Sequence, residues 1–472
     1  MDTLPSVTAS KTLPPKLPIR TILRLGLFQM GLGIMSILTL GVLNRVLIDP
    51  AFLAIPATLA GGALAMYQFV SPIRVWFGQL SDSKPLFGYH RTGYVRLGTA
   101  MFTLCAFAAV QVIWRLADSI KLEGWTANTY GWMGLLGLTF ALYGICVSAS
   151  STPFAALLVD VSDEDNRSKV VGVVWAMLMV GIVIGAVTSG ILLKGLTPET
   201  LQSTINRLFL VLPACVLGFA FIATFGVENR YSRYGYRSAI AGREDQITLK
   251  TAFRILTASR QTGIFFSFLV LMTLGLFLQQ PILEPYGGEV FGMTLSQSTQ
   301  LNAFWGIGTL IGITATGFLI VPRWGKQATA RFGCKAVAAC FLGVIAVGFT
   351  QSQPALQLAM IGLGLGYGLV TNSAVSLMLD LTAAETAGTF IGAWGLAQAM
   401  SQASATVAGG ALLDLGRSLF GAQTLWAYGL VFLVEALLML SAVVLLDKVN
   451  VSEFRDRTQT AISTVLAQEL DS

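Results

Sequence analysis

LeuLeuValAspValSerAspGluAsp, residues 157–165, returns 220 residues later as LeuMetLeuAspLeuThrAlaAlaGlu, residues 377–385. In each copy the aspartate, Asp160 or Asp380, stands twelve residues before a glycine, Gly172 or Gly392, and a tryptophan follows at Trp175 or Trp394. Such a duplication predicts two similar helical bundles with a site at their interface.

The surrounding chain has the composition to build those bundles inside a bilayer. Of 472 residues 54% are hydrophobic and only 11% charged, with mean hydropathy +0.70, whereas soluble domains carry roughly a quarter charged residues. Twelve apolar runs between residues 22 and 446 are long enough to cross a ~30 Å hydrocarbon core at 1.5 Å per residue. The second runs over 54–80, the seventh over 262–284 and the eleventh over 386–413. The chain therefore divides into a disordered tail at 1–20, a six-helix bundle at 21–227, a polar linker at 228–261, a second six-helix bundle at 262–447 and a tail at 448–472. The first 19 residues, with Pro5, Pro14, Pro15 and Pro18, show neither the apolar core nor the cleavage site of a signal peptide. Of the 30 lysines and arginines, 23 fall on the side of the two termini, six on the other, and Arg74 near a span end. That bias predicts cytoplasmic termini. It also accounts for the net charge of +6 without nucleic acid.

An all-α polytopic protein of this kind keeps few charges at membrane depth, and each needs a reason because hydrocarbon cannot hydrate an ion. Glu284, in GlnGlnProIleLeuGluProTyrGlyGlyGluVal (279–290), ends an uncharged span, and Pro285 with the following glycines predicts a backbone break there. Gln279, Gln280 and Tyr286 flank it. Glu435 is the acid near the middle of the last span and is either a locally paired structural acid or a group facing lipid, protein or pigment. Arg74 either snorkels to the surface or pairs with an acid. Asn44 and Arg45 mirror it near the opposite face. These residues are the candidate binding positions. Asp82, Arg91, Asp160, Arg167 and Asp380 lie at helix ends on the terminus side, where they close salt bridges, cap helices or gate a conformational change.

The five cysteines have no metal-type spacing and read as small core residues. No HisGluXXHis motif, Walker loop, nucleophile elbow or dinucleotide fingerprint occurs in a suitable context, so no covalent chemistry is expected. His90 is the single histidine, in a loop. A chain without intramembrane imidazoles lacks the usual ligands of a permanent chlorophyll antenna. A pigment magnesium would then depend on oxygen donors such as Glu284, Glu435, Gln279, Gln280, Asn302 or Asn372.

GlyGlnLeuSerAsp (78–82) with GlyTyrHisArg (88–91) resembles the loop motif of the major facilitator superfamily, with a longer gap between Asp82 and Gly88 than the usual pattern. That resemblance implies two pseudo-symmetric six-helix bundles. A closer resemblance is carried by LeuAsnArgValLeuIle (43–48), SerProIleArgValTrpPheGlyGlnLeuSerAsp (71–82), ValValTrpAlaMetLeuMetValGly (173–181) and LeuGluProTyrGlyGlyGluValPheGlyMet (283–293). These resemble the PucC and LhaA group, the bacteriochlorophyll-delivery branch of that superfamily, and lean to its cyanobacterial side. The resemblance implies a membrane assembly factor handing (bacterio)chlorophyll to light-harvesting or photosystem subunits. It implies few, transient pigment sites with a possible carotenoid, pigment-synthesis enzymes as further partners, and a thylakoid or intracytoplasmic membrane. It carries Asn44, Arg45, Arg74, Asp82, Glu284, Pro285 and Tyr286 as family positions. The alternatives are a proton-coupled transporter of an amphipathic small molecule and a stable structural partner of a photosystem.

Overall fold

A computed structural model describes residues 17–162, 164–197, 199–232, 260–380 and 387–449. In the first half, α1 (Ile19–Ile48) is followed by α2 (Ala57–Phe69), α3 (Ile73–Ser83), α4 (Thr92–Glu123), α5 (Ala127–Val161), α6 (Glu164–Leu192), α7 (Leu201–Thr224) and the short α8 (Val227–Tyr231). In the second half, α9 (Arg260–Phe277) and α10 (Leu283–Phe291) precede α11 (Leu295–Trp324), α12 (Lys326–Thr350), α13 (Gln353–Asp380), α14 (Ala387–Phe420) and α15 (Thr424–Asp447).

Among the described residues nine helices are long and apolar enough to cross a membrane. The other three expected passes are carried by α2 with α3, by α9 with α10, and by α14. Large apolar side chains stand exposed around the bundle, Leu104, Ile191, Leu210 and Leu358 among them. In water these would be a liability, whereas in a bilayer they face chains as apolar as themselves. Each successive pass reverses direction. The α1–α2, α6–α7, α10–α11 and α14–α15 connections therefore share one side, here called the far face, opposite the terminus face.

Four of the described passes depart from a regular helix, among them α11, which is π-helical at Thr316–Ile320. In α1 the segment Ile37–Val42 is π-helical. In the seventh pass α9 ends at Phe277, residues 278–282 form turns, and α10 starts at Leu283. The break thus falls before Glu284 and not at it, correcting the expectation above. Pro285 sits in the first turn of α10, where a missing backbone N–H breaks no helical bond. The second pass turns at residues 70–72 before α3 resumes at Ile73. Between the halves, α2 packs on α14 and α6 on α11. Gly61 permits the first of these contacts: a Cβ there would lie 2.8 Å from the Thr406 carbonyl oxygen. The cysteines are free, and Cys215 is exposed rather than in the core. An apolar thiol on a lipid-facing helix leaves no polar group uncovered.

Candidate functional site: the far-face seam

Short helix α10 is the wedge on which the two halves meet. Its two glycines make room for what packs against it: a Cβ on Gly288 would strike the Arg45 guanidinium and the Asp49 carboxylate. Arg45 is 4% exposed and pairs with Asp49, one helical turn on, at 3.0 Å. Its other nitrogens reach into the second half. Nη1 donates to the Thr294 carbonyl at 2.7 Å and to Ser298 Oγ, and Nη2 donates to the Met293 carbonyl at 2.6 Å. The planar guanidinium suits this work because its donors fan out in a fixed fork. Immediately before Arg45 in α1, Asn44 Nδ2 donates to the Pro281 carbonyl inside the α9–α10 break.

Thr294 caps α11 through a reciprocal box with Gln297, which holds the accepting carbonyls in place. On the other side of the seam Asp414 of α14 caps α2, accepting from Ala57 N at 3.0 Å, Thr58 N at 2.7 Å and Thr58 Oγ1 at 2.6 Å. Ser296 Oγ donates to the Gly190 carbonyl at 2.5 Å. These hydrogen bonds join the halves toward the far face. The far face is therefore closed.

Glu284 lies directly behind this lock. Its side chain is buried, accepting from Asn302 Nδ2 at 2.6 Å and Thr299 Oγ1 at 3.1 Å, and a Cβ on Gly41 of the π-helical turn would meet its Oε1. It touches both halves, as its position at a span end suggests, but neither oxygen has a free face for a macrocycle. Glu435 is wholly enclosed. Its Oε1 accepts from Gln279 N at 2.6 Å, a donor that the α9 break leaves without a helical partner, and its Oε2 is buried with no protein partner. In this arrangement neither acid fits a pigment magnesium: both Glu284 oxygens are taken by protein donors, and Glu435, though one of its oxygens is unpartnered, is enclosed on every side.

Tyr286 is a core residue rather than a ligand position. It is fully buried, donates to the Val344 carbonyl at 2.9 Å and packs on Phe291, Tyr428 and Phe432. Glu289 pairs with Arg417 at 2.5 Å and accepts from Tyr428 Oη at 2.8 Å. The side-chain oxygens of Gln279 and Gln280 are buried without partners beside the break. Arg74 follows the turn at 70–72, with its side chain exposed.

The terminus-side candidates are arranged differently. Arg91, 2% exposed, pairs with Asp160 at 2.9 Å and donates to Ser81 Oγ at 2.6 Å, which ties α3, α4 and α5 within the first half. Glu228 caps α4 from α8, accepting from the backbone N–H groups of His90, Arg91 and Thr92. The side chains of Asp82, Arg167 and Asp380 lie outside the described residues.

Sequence reasoning missed Asp49, Ser298, Glu289 and Asp414. An acid inside the apolar run AlaLeuLeuAspLeuGly (411–416) was a usable signal for Asp414. The carbonyls of Pro281, Met293 and Thr294 have no side-chain signature at all.

Two halves of long apolar helices, packed on each other through α2 with α14 and α6 with α11, make an integral membrane protein with the fold of the major facilitator superfamily. The nucleoside transporter NupG superposes with a TM-score of 0.66 at 12% identity, covering 91% of this chain and 99% of that one. A D-xylose–proton symporter gives 0.66 at 14%, covering 89% and 96%. Within that class the chain belongs to the PucC protein family, whose model matches residues 42–454 and so takes in Asn44, Arg45, Glu284 and Asp414. "Protein PucC" of Rhodobacter capsulatus is 30% identical over 439 residues, spanning 91% of this chain and 92% of that protein. The "Bacteriochlorophyll synthase 44.5 kDa chain" of the same species is 31% identical over 463 residues, spanning 95% and 98%.

Proposed function

We propose that this protein is a membrane assembly factor that carries (bacterio)chlorophyll to light-harvesting or photosystem subunits without catalysing a reaction on it. The observation that carries this reading is the PucC-family match over residues 42–454, with a relative named as a bacteriochlorophyll synthase chain aligned nearly end to end. The single histidine, His90, supports brief rather than permanent occupancy, since it stands at the start of α4 and not at membrane depth. With Glu284 engaged by protein donors and Glu435 enclosed, pigment contact falls to the apolar surfaces of the outer helices, a family of sites suited to transient handover. The protein should be isolated in mild detergent from pigment-making cells. Bound chlorophyll and co-isolated photosynthetic subunits are expected, with no pigment-synthase turnover. Absence of both pigment and photosynthetic subunits under every growth condition defeats the proposal.

A proton-coupled transporter is the second reading, favoured by the burial of Glu284 where the halves meet. It requires pH-driven flux of an amphipathic solute in liposomes, abolished in Glu284→Gln.

A further inference from the structure

Above the seam, a cleft of about 700 Å³ opens at the far face between the α1–α2 connection, the end of α6 with the segment after it, and the start of α11. Its volume lies in the range of small-molecule pockets. It is lined by both halves. Phe52, Ile191 and Leu196 give it apolar walls, Gln300 a polar edge, and Lys194 and Arg45 its cations. The charge of Arg45 is balanced by Asp49, so exposed Lys194 sets the sign of the cleft. Its depth is equally informative, because it lies where α1 ends at Ile48, α6 ends at Leu192 and α11 begins at Leu295. At that level hydrocarbon gives way to head groups. A ligand there would have a chain in the apolar layer and a charge at its edge.

We propose that this cleft binds an anionic amphiphile, its acidic head group on Lys194 and its chain against Phe52, Ile191 and Leu196. The occupant touches both sides of the seam, so it stabilises the closed far face over any arrangement in which the halves part there. The site is distinct from pigment carriage and does not depend on it.

The full chain is reconstituted in nanodiscs of phosphatidylcholine alone or with phosphatidylglycerol, and its melting temperature and lipid retention by native mass spectrometry are compared. Phosphatidylglycerol should raise the melting temperature and leave one retained lipid per chain. Lys194→Gln should weaken that retention about fivefold, the worth of one cation near a head-group layer. Leu196→Ser should also weaken it, through the wall. Glycerol phosphate added to phosphatidylcholine discs should give no gain. Equal melting in both lipids overturns the proposal, as does retention unchanged in both variants. A full gain from glycerol phosphate alone overturns the amphiphile by assigning the cleft to a soluble anion.

Discussion

Arg45 and Arg91 are both buried arginines with an aspartate at about 3 Å, yet they hold different things together. Among the described side chains, Arg91 joins Asp160 and Ser81 of its own half. Arg45 keeps its aspartate on its own helix and spends its remaining donors on the main chain and Ser298 of the other half. The first arrangement maintains a bundle. The second maintains the relation between bundles, and it can be released without unfolding either one. Burial and pairing alone therefore do not identify a gating residue; the address of the acceptors does.

The sharpest way to break this contrast is Arg91→Ala, which leaves Asp160 buried beside an empty space. A loss of about 3–5 kcal/mol is expected from stripping one partner of a buried pair, read as a large drop in the melting temperature of the purified protein. An unchanged melt would remove the distinction. Arg45→Ala should cost a comparable amount at the seam, about 2–5 kcal/mol for a buried hydrogen-bonded charge at an interface, but mainly as opening. Spin labels at Thr197 and Gln297 should then report a longer or broader distance, with the melt moving less than in Arg91→Ala. If the two variants melt alike and the labels do not move, Arg45 is a bundle residue after all.

Asp414→Ala removes an inter-half helix cap and should cost about 0.5–2 kcal/mol. Faster amide exchange at Ala57 and Thr58 would register it. The smallest effect is expected at a third arginine pair, Arg331 with Asp447 at 2.7 Å, because its side chains are 39% and 52% exposed. Screening holds such a pair to about 0–1 kcal/mol, so Arg331→Ala should leave the melt nearly in place.

Much of the architecture was legible from apolar run lengths and from the Asp160–Asp380 repeat, because hydrocarbon permits few backbone solutions. The site was only half legible. Asn44, Arg45 and Glu284 stood out as polar groups in costly places, and the structure brings all three to one seam. Glu435 and Tyr286 stood out for the same reason and prove to be internal supports, since a lone polar group in an apolar helix says that it has a partner but not what kind. Arg45 was unreadable as a bridge for a different reason. Its acceptors are carbonyl oxygens about 250 positions downstream, and every residue type carries a carbonyl. The placement of the α9 break was missed because Pro285 was weighed as a helix terminator, although proline is equally at home in a first turn.

The π-helical turn at Ile37–Val42 bears on how this lock could arise or disappear. Such a turn holds one residue more than an α-helical one, so everything after it is rotated by about 100° relative to an uninterrupted helix. Rewinding Ile37–Val42 as α-helix at constant length would swing Asn44 and Arg45 around the axis together, away from Pro281, Met293 and Thr294, while leaving their chemistry untouched; removing one residue there as well would bring them back. The closed seam thus depends on how one turn is wound, and that turn could open it with no side chain replaced.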